Sequence, residues 1–283
     1  MIDYPYDAQP KDDVRACNLC GSTHHVEVSR RDRYGFAAPF RVCARCGLGF
    51  ISPRMTAPAY ASFYDGVYRP LVSAYHGRLI DAETVQDEQR EYAAELVAFL
   101  QRHLTSVKDI LDVGGSTGVV GGAVGDAFGA TVTVLDPAPA ELAVAESRGY
   151  ETVAGFAEDF DPHGRRWDLV LLCQTIDHLL DVRATVDAIG RLAGRYAFVD
   201  VLDVEFMARR RGSIEGAVKI DHPYYLTRST ALAYFDLAGL SVVAERLSDD
   251  GHLGFLLAPG AAREPEFGDE AQRLLRVFWE LRA

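Results

Sequence analysis

The chain has 283 residues, of which 48% are hydrophobic and 25% charged, an ordinary composition for a globular protein with one substantial domain and a small one. Its 29 basic and 41 acidic residues give a formal net charge of −12, which disfavours binding to a nucleic-acid backbone. The sequence contains no stretch of about 18 uncharged apolar residues and begins without an apolar run. We therefore expect a cytoplasmic protein that is neither exported nor embedded in a membrane.

The first motif along the chain is a repeated C-x-x-C pair, and each copy is followed by glycine. The cysteines are Cys17, Cys20, Cys43 and Cys46. Each copy presents two thiolates to one metal ion, and two copies complete a closed tetrahedral zinc site with no open position for water. Disulfides are the alternative, but a cytosolic enzyme disfavours them. The spacing predicts a small ribbon, ending near Pro53, in which a zinc ion is structural.

The next segment has a helical pattern. Leu96, Leu100 and Leu104 recur four residues apart and form an apolar stripe, which predicts a helix that packs on the following domain. Upstream, residues 60–76 are rich in aromatic side chains. Aromatic residues pack in cores as often as they cover pockets, so this cluster is either a lid or part of the core.

After Ser106, short apolar runs alternate with helical segments, which is typical of a parallel sheet wrapped by helices. Thr227 and Gly239 are suited to begin and end a further helix. The turn at 249–251 joins two more apolar runs as a hairpin, which places an antiparallel strand at this end of the sheet. The predicted strands are 109–113, 131–135, 151–154, 168–173 and 196–201, and the predicted helices are 118–128, 139–147, 182–192 and 270–281.

A glycine-rich turn, I-L-D-V-G-G-S-T-G, follows the first predicted strand. Its aspartate lies where a nicotinamide-binding turn usually has an apolar residue, because a carboxylate would repel the phosphates of that cofactor. The G-x-G-x-x-G pattern is also incomplete, since a serine takes the second glycine position. A carboxylate here suits the sulfonium and ammonium of S-adenosylmethionine, which we therefore predict as the cofactor. The candidate cofactor-binding residues of the turn are Asp112, Gly114, Gly115, Ser116 and Gly118.

Three further cofactor contacts are predicted after the next strands. Asp136 ends the second strand, where an acidic side chain commonly accepts hydrogen bonds from both ribose hydroxyls. Glu158 follows the third strand and is the candidate partner of the adenine amino group, although an ordinary surface carboxylate is nearly as good an interpretation. Gln174 follows the fourth strand and completes the predicted set.

The motifs L-D-V-G-G-S-T-G, V-L-D-P, G-F-A-E-D and D-L-V-L-L-C-Q-T-I-D-H resemble those of class I S-adenosylmethionine-dependent methyltransferases. The cysteine motifs, extended by C-G-L-G-F-I-S-P-R and by Y-x-x-F-Y-x-x-x-Y, are similar to those of bacterial methyltransferases that modify deoxysugars and other secondary-metabolite or polysaccharide building blocks. The resemblance spans residue 17 to about residue 258 and departs from the family at Ser116. It implies a Rossmann-like α/β fold with a seven-stranded sheet, and a small-molecule acceptor such as a sugar or nucleotide-sugar.

Two Asp-His pairs follow predicted strands on the carboxyl side of the sheet, where open α/β folds bind ligands. The pairs are Asp177-His178 and Asp221-His222. An imidazole can take a proton from a hydroxyl or an activated carbon, although a hydrogen-bonded surface histidine is the common alternative. The resemblance implies that His222 is the base, that Asp221 orients it, and that Tyr224 or Tyr225 lines the acceptor pocket. It gives His178 a positional or structural role.

The predicted organisation is a tail at 1–14, the zinc module at 15–55, a helical linker or lid at 56–106, the methyltransferase domain at 107–260 and a C-terminal helix at 261–283. Basic residues outnumber acids between 14 and 50, which favours either an anionic acceptor or a solvated face. A homodimer is a further expectation. The alternatives are an RNA base methyltransferase, which the net charge disfavours, and a noncatalytic protein with a methyltransferase fold.

Overall fold

The computed structural model describes residues 4–80 and 82–281, so residues 1–3 of the predicted tail and 282–283 of the predicted terminal helix lie outside it. The N-terminal part consists of short strands that pair antiparallel, β1 with β5 and β3 with both β2 and β4. Each C-x-x-C turn ends in a glycine with a positive φ, because the chain reverses there. The strands are β1 (Lys11–Asp12), β2 (His25–Ser29), β3 (Phe40–Cys43), β4 (Gly49–Ile51) and β5 (Arg54–Met55).

Three helices lead from these strands to the large sheet. They are α1 (Ala57–Gly66), α2 (Tyr68–His76) and α3 (Ala82–His103). The side chain of Thr56 caps α1 by accepting a hydrogen bond from the backbone N–H of Ala59. Leu96 and Leu100 of α3 are fully buried against the large sheet, which confirms the predicted apolar stripe.

The central sheet has seven strands in the order β12-β13-β10-β9-β6-β7-β8. All neighbouring strands from β8 to β10 run parallel, whereas β13 is antiparallel to both of its neighbours. The predicted α/β fold is confirmed. Its strands, together with one short strand outside the sheet, are β6 (Asp109–Val113), β7 (Thr131–Asp136), β8 (Glu151–Ala154), β9 (Trp167–Leu172), β10 (Ala193–Leu202), β11 (Tyr224–Tyr225), β12 (Leu240–Leu247) and β13 (His252–Pro259).

Helices cover both faces of this sheet. The N-terminus of α9 has the predicted cap, since the Thr227 side chain accepts a hydrogen bond from the Thr230 backbone, and Gly239 follows the helix with a φ of 69°. Within the described residues, none of the helices combines the length and hydropathy that a bilayer span requires. The remaining helices are α4 (Val119–Phe128), α5 (Pro139–Ser147), α6 (Val182–Leu192), α7 (Val204–Arg211), α8 (Ile214–Ala217), α9 (Arg228–Leu237) and α10 (Glu270–Glu280).

The short strand β11 joins the N-terminal sheet and not the central one. Tyr224 lies opposite Phe50 and Tyr225 lies opposite Gly49, so the N-terminal sheet has the order β11-β4-β3-β2. Gly49 is required at this crossing, because a Cβ there would lie 2.7 Å from the ring of Phe40 and 3.0 Å from the Cβ of Tyr225. The cysteine module and the segment that precedes α9 are therefore parts of one sheet.

Candidate active site

The four cysteines of the N-terminal module converge on one point. The Sγ atoms of Cys17 and Cys46 are 3.5 Å apart, as are those of Cys20 and Cys43, and none of the four forms a disulfide. All four sulfurs lie within 4.8 Å of one another. Tetrahedral zinc with Zn–S bonds of about 2.3 Å places its sulfurs about 3.8 Å apart, so these cysteines fit a closed four-sulfur site.

Asn18, between the first two cysteines, anchors the module to the helices of the large domain. Its Nδ2 donates to the Asp181 carboxylate at 2.8 Å. Its Oδ1 accepts from the backbone N–H of Arg183 at 2.9 Å and from the hydroxyl of Tyr234 at 2.8 Å. The first cysteine turn is thus tied to α6 and α9 through one side chain.

The glycine turn after β6 depends on left-handed backbone and on close packing. Gly114 and Gly118 have φ values of 66° and 75°. A Cβ on Gly114 would lie 2.7 Å from Thr175, and one on Gly118 would lie 2.7 Å from the ring of Tyr150. Ser116 is also left-handed, with a φ of 52°, so it adopts a conformation that favours glycine. The serine therefore adopts the left-handed backbone that a glycine would have at this position of the turn.

Asp112 lies beneath this turn. It is 1% exposed, and its Oδ2 accepts a hydrogen bond from the Gly121 N–H at 3.0 Å. A Cβ on Gly115 or Gly121 would lie 2.6 Å from the Asp112 carboxyl group. Burial raises the pKa of Asp112 to about 7, although the Gly121 N–H acts in the opposite direction. The carboxyl group thus holds the turn against α4 and supplies negative charge next to the crevice when it is ionised.

Asp136, at the end of β7, braces the other side of the turn. Its Oδ2 accepts from the Ser116 N–H at 2.9 Å and its Oδ1 accepts from the Ala138 N–H at 2.8 Å. Burial raises its pKa, and the two N–H groups oppose that shift. Each carboxylate oxygen has a further lone pair that can accept a hydrogen bond from a ligand hydroxyl.

The two remaining predicted cofactor contacts differ in hydrogen bonding and exposure. Glu158 accepts a hydrogen bond from the Thr185 hydroxyl of α6 at 3.1 Å, whereas Gln174 is exposed and has a φ of 51°. Phe156 is 51% exposed in the same loop as Glu158, and the sequence analysis did not single it out. Its signal was an aromatic residue directly after Gly155 at the carboxyl end of a strand.

His178, Asp221 and His222 meet at the carboxyl edge of the sheet. The two imidazole rings are nearly perpendicular, with centroids 4.6 Å apart, and Nε2 of His222 lies 3.7 Å from Oδ2 of Asp221. Asp221 is fully buried, and neither of its carboxylate oxygens accepts a hydrogen bond within the described residues. Its charge is balanced by Lys219, whose Nζ lies 3.3 Å from Oδ2.

This environment keeps both imidazoles neutral. Burial, followed by the charge of Lys219, lowers the pKa of His178 to about 4 and lowers that of His222 well below its usual value. A neutral imidazole at pH 7 can accept a proton. The three groups also offer ligand atoms within 4.8 Å of one another, but a divalent cation would be repelled by the Lys219 ammonium already at that carboxylate.

Tyr64 of α1 orients His178. The Tyr64 hydroxyl donates to the Asp221 carbonyl oxygen at 2.8 Å and lies 2.7 Å from Nδ1 of His178. That Nδ1 also lies 3.1 Å from the same carbonyl oxygen. Because a carbonyl only accepts, Nδ1 carries the hydrogen, and the lone pair of His178 is on Nε2.

Tyr225, and not Tyr224, lies beside His222. The Tyr225 ring is 5.9 Å from the His222 ring, and its hydroxyl donates to the Lys219 carbonyl oxygen at 2.7 Å. Tyr224 points to the opposite face of β11, where the Arg54 guanidinium covers its ring at 4.8 Å. Successive side chains of a strand alternate between faces, so only one of the two tyrosines can face His222. Tyr224 therefore packs away from His222, and of the two tyrosines named as alternatives Tyr225 is the one beside the imidazole.

A methyltransferase-domain family matches residues 85–245, more than half of the chain. The chain belongs to this methyltransferase family. No curated protein matches it. Among solved structures, an S-adenosylmethionine-dependent methyltransferase from Clostridium acetobutylicum ATCC 824 is 12% identical with a TM-score of 0.52, covering 72% of this chain and 99% of its own.

Two further structures share the fold of the methyltransferase. Magnesium protoporphyrin IX methyltransferase from Synechocystis PCC 6803, solved with bound SAH, is 12% identical with a TM-score of 0.55, over 72% of this chain and 99% of its own. DesVI from Streptomyces venezuelae is 18% identical with a TM-score of 0.51, over 64% of this chain and 99% of its own. These likenesses show the fold, and the family match over residues 85–245 confirms the predicted methyltransferase class.

The cluster of His178, Asp221 and His222 is contacted by two residues that sequence reasoning missed. Lys219 balances the charge of Asp221, and the Tyr64 hydroxyl lies 2.7 Å from Nδ1 of His178. Lys219 lies two residues before Asp221, so its proximity was a usable signal. Tyr64 is 157 residues from Asp221, and nothing local in the sequence connects the two.

Proposed function

We propose that the methyltransferase transfers a methyl group from S-adenosylmethionine to a small-molecule acceptor, in the class of sugars, nucleotide-sugars and other secondary-metabolite intermediates. One observation carries the proposal. A perpendicular pair of imidazoles, the half-buried His178 and the buried His222, lies at the same edge of the sheet as the glycine turn. The fold likeness to magnesium protoporphyrin IX methyltransferase, whose named acceptor is a small molecule, supports the same class here.

We call the part of the site that would bind S-adenosylmethionine the cofactor half, and we propose that it lies around the glycine turn. S-adenosylmethionine supplies an electrophilic methyl group on a positively charged sulfur. Asp136 has lone pairs to accept the ribose hydroxyls, while its bonds to Ser116 and Ala138 hold it in place. Asp112 keeps the backbone of the turn close to the crevice, where the glycines leave space for a ligand. The exposed ring of Phe156 offers a stacking surface for the adenine, and Gln174 a polar contact.

We call the part of the site around His178, Asp221 and His222 the acceptor half, and we propose that it removes a proton from the acceptor. His222 takes the proton from the acceptor atom, which then forms its bond to the incoming methyl group as the bond from methyl to sulfur breaks. Asp221 stabilises the imidazolium that results, because the carboxylate is buried within 3.7 Å of the ring. His178 lies perpendicular to His222 and presents its bare Nε2, so it orients the acceptor or serves as a second proton acceptor.

The cysteine cluster is proposed to hold a structural zinc ion. Its sulfur spacing suits tetrahedral coordination, and its four cysteines leave no position for a substrate. Reduced cysteines also agree with a cytoplasmic protein. We further propose that the acceptor is anionic, because basic residues outnumber acids between residues 14 and 50.

Two measurements test the proposed function. Calorimetry with S-adenosylmethionine should show binding to the wild-type protein, and SAH should be released when a panel of nucleotide-sugars is added. His222→Gln should bind S-adenosylmethionine with unchanged affinity. Its rate of SAH release should be at least about 100-fold lower than that of the wild type. His163→Gln, a change at an exposed histidine, is the matched control and should behave as wild type.

The outcomes separate the alternatives. A wild-type protein that produces no heat with S-adenosylmethionine would be a noncatalytic methyltransferase fold. Salt-dependent retention of RNA would favour an RNA base methyltransferase. Normal turnover by His222→Gln would remove this residue as the base and leave His178 as the remaining imidazole of the cluster.

A further inference from the structure

The segment 218–225, which carries the acceptor-side residues, is held by the N-terminal part of the chain. The backbone N–H of Arg33 donates to the Val218 carbonyl at 2.8 Å, and that of Ile51 donates to the Pro223 carbonyl at 3.1 Å. The end of the segment forms β11 and pairs with β4. Contacts from two places in the N-terminal part, Arg33 and β4, therefore fix both ends of the segment.

Asp32 holds the middle of this segment. Its side chain is buried, with 3% of the residue exposed. Oδ1 accepts from the backbone N–H groups of Tyr34 at 3.0 Å and Phe36 at 2.9 Å, which forms a local turn. Oδ2 accepts from the backbone N–H of Ile220 at 3.1 Å, which lies 188 residues away in sequence. One carboxylate thus connects a turn of the cysteine module to the acceptor segment.

The bond reaches the backbone directly before Asp221. Tyr60 donates to the carbonyl oxygen of the same residue, Ile220, at 3.0 Å, so both peptide groups around Ile220 are fixed. The next two side chains, Asp221 and His222, leave the backbone from this point. Their positions relative to His178 therefore depend on where the Ile220 peptide is held.

We propose that Asp32 is a positioning residue of the acceptor site, which holds Asp221 and His222 in register with His178 through the backbone amide of Ile220. The proposal rests on the proposed function, in which those histidines act on the acceptor. Asp32 itself touches neither histidine, and its carboxylate is fully engaged by backbone N–H groups.

Asp32→Asn separates the two roles of the carboxylate. An amide side chain has one oxygen and one NH2 group, so it can accept hydrogen bonds on only one side. If the oxygen keeps the bonds to Tyr34 and Phe36, the NH2 group faces the N–H of Ile220, and two donors repel each other. The local turn is preserved while the bond to the acceptor segment is lost.

The matched control is Asp168→Asn. Asp168 also uses its carboxylate to accept a backbone N–H from a distant residue, Lys108, at 3.0 Å. It lies at the start of β9, at the amino ends of the parallel strands, whereas the acceptor segment lies at their carboxyl ends. A general loss of stability from removing such a bond would appear in both variants.

The experiment is an NMR titration of the imidazoles in the full-length protein, with calorimetry using S-adenosylmethionine alone. In Asp32→Asn we expect the titration midpoints of His178 and His222 to rise toward the usual value, by a tenfold or larger change in proton affinity, because the loosened segment admits water. Cofactor affinity should stay within about twofold, and Asp168→Asn should leave both midpoints unchanged. Hydrogen exchange at the Ile220 amide in the wild-type protein should be at least about 100-fold slower than in an open chain.

Unchanged midpoints for both histidines in a folded Asp32→Asn protein would overturn the proposal, and so would a rapidly exchanging Ile220 amide in the wild type. The exchange measurement requires no variant, so the proposal stays testable if Asp32→Asn does not fold. Failure of the wild type to bind S-adenosylmethionine would instead reject the proposed function. The histidine and exchange data would remain valid measurements of positioning in that case.

Discussion

The two halves of the candidate site differ in how their residues are distributed along the chain. The cofactor half comes from residues 112–136 with a few loop residues after β8 and β9. The acceptor half combines His178, the segment 218–225 and side chains from the N-terminal module and α1. The first half is a local strand-turn-helix unit, whereas the second exists only when distant parts of the chain pack together.

This difference has a physical consequence. A glycine turn is fixed by the backbone preferences of its own residues, so a sequence motif describes it well. The cluster of Asp221, Lys219, His178 and His222 is held by hydrogen bonds from distant residues such as Tyr64, and loss of such a partner leaves a polar group unpaired. The acceptor half should therefore be more sensitive than the cofactor half to damage far from the cluster.

Loss of the zinc ion that we propose for the cysteine cluster should have the largest effect. We expect Cys43→Ser or chelation to lower the melting temperature by at least about 10 °C, because structural zinc supplies several kcal/mol of folding energy. Hydrogen exchange should increase in residues 218–225 before it increases in residues 109–136. Zinc content by mass spectrometry, thermal melts and exchange by mass spectrometry measure these effects.

Cys173→Ser is the control for that experiment, since Cys173 lies outside the cluster and should leave the zinc content unchanged. If exchange increases equally in the two halves, the contrast between them is wrong. If the cofactor half loses protection first, the module supports the glycine turn and not the acceptor segment.

Asp136→Ala should reduce the affinity for S-adenosylmethionine by about 100-fold or more in calorimetry. The variant loses a carboxylate that is proposed to bind two hydroxyls, and hydrogen bonds to charged groups contribute about 1.5–3 kcal/mol each. The variant also loses the braces at Ser116 and Ala138. The imidazole titrations of His178 and His222 should not change.

Glu141→Gln is the control, because Glu141 contacts the same turn through the Ser116 hydroxyl without a proposed ligand contact. It should bind S-adenosylmethionine within a few-fold of wild type. Unchanged affinity in Asp136→Ala would contradict the proposed ribose contact.

Asp112→Asn should have the smallest effect of the three changes, and its effect on the melting temperature should depend on pH. Burial raises the folded pKa of Asp112 to about 7, above the usual unfolded value of about 3.9, so its contribution to stability is complete below the unfolded value and is lost as the pH rises through 7. The amide cannot ionise. Relative to wild type, the melting temperature of Asp112→Asn should therefore rise by about 5 °C between pH 5 and pH 8.

Thermal melts of the two proteins across that pH range measure the effect, and Asp159→Asn, a change at an exposed loop residue, is the comparison. A difference between Asp112→Asn and wild type that is constant with pH would mean that Asp112 does not titrate in this window.

Sequence alone predicted most of the central fold. The strands β6 to β10 and the helices α4 to α6 have bounds within three residues of the prediction, because short apolar runs and glycine turns punctuate this region. The hairpin at 249–251 and the cap at Thr227 were predicted from local turn and cap chemistry. These features need only neighbouring residues to form.

Sequence reasoning failed where a partner lay far along the chain. It left Tyr224 and Tyr225 as alternatives because it could not know that β11 pairs with β4, and that pairing decides which tyrosine faces His222. It also missed Tyr64 and Asp32, whose roles depend on contacts more than 150 residues away. The predicted cofactor contacts of Glu158 and Gln174 stay predictions.

The side chain of Asn18 bears on how the cysteine turn can be exchanged between proteins. It bonds at once to the Asp181 carboxylate, the Arg183 backbone and the Tyr234 hydroxyl. A chimera that carries residues 15–55 of this chain into another enzyme would leave the Asn18 side chain without these hydrogen bonds, unless that enzyme already has the same partners. Transplanting the module should therefore succeed only when the matching positions of α6 and α9 travel with it.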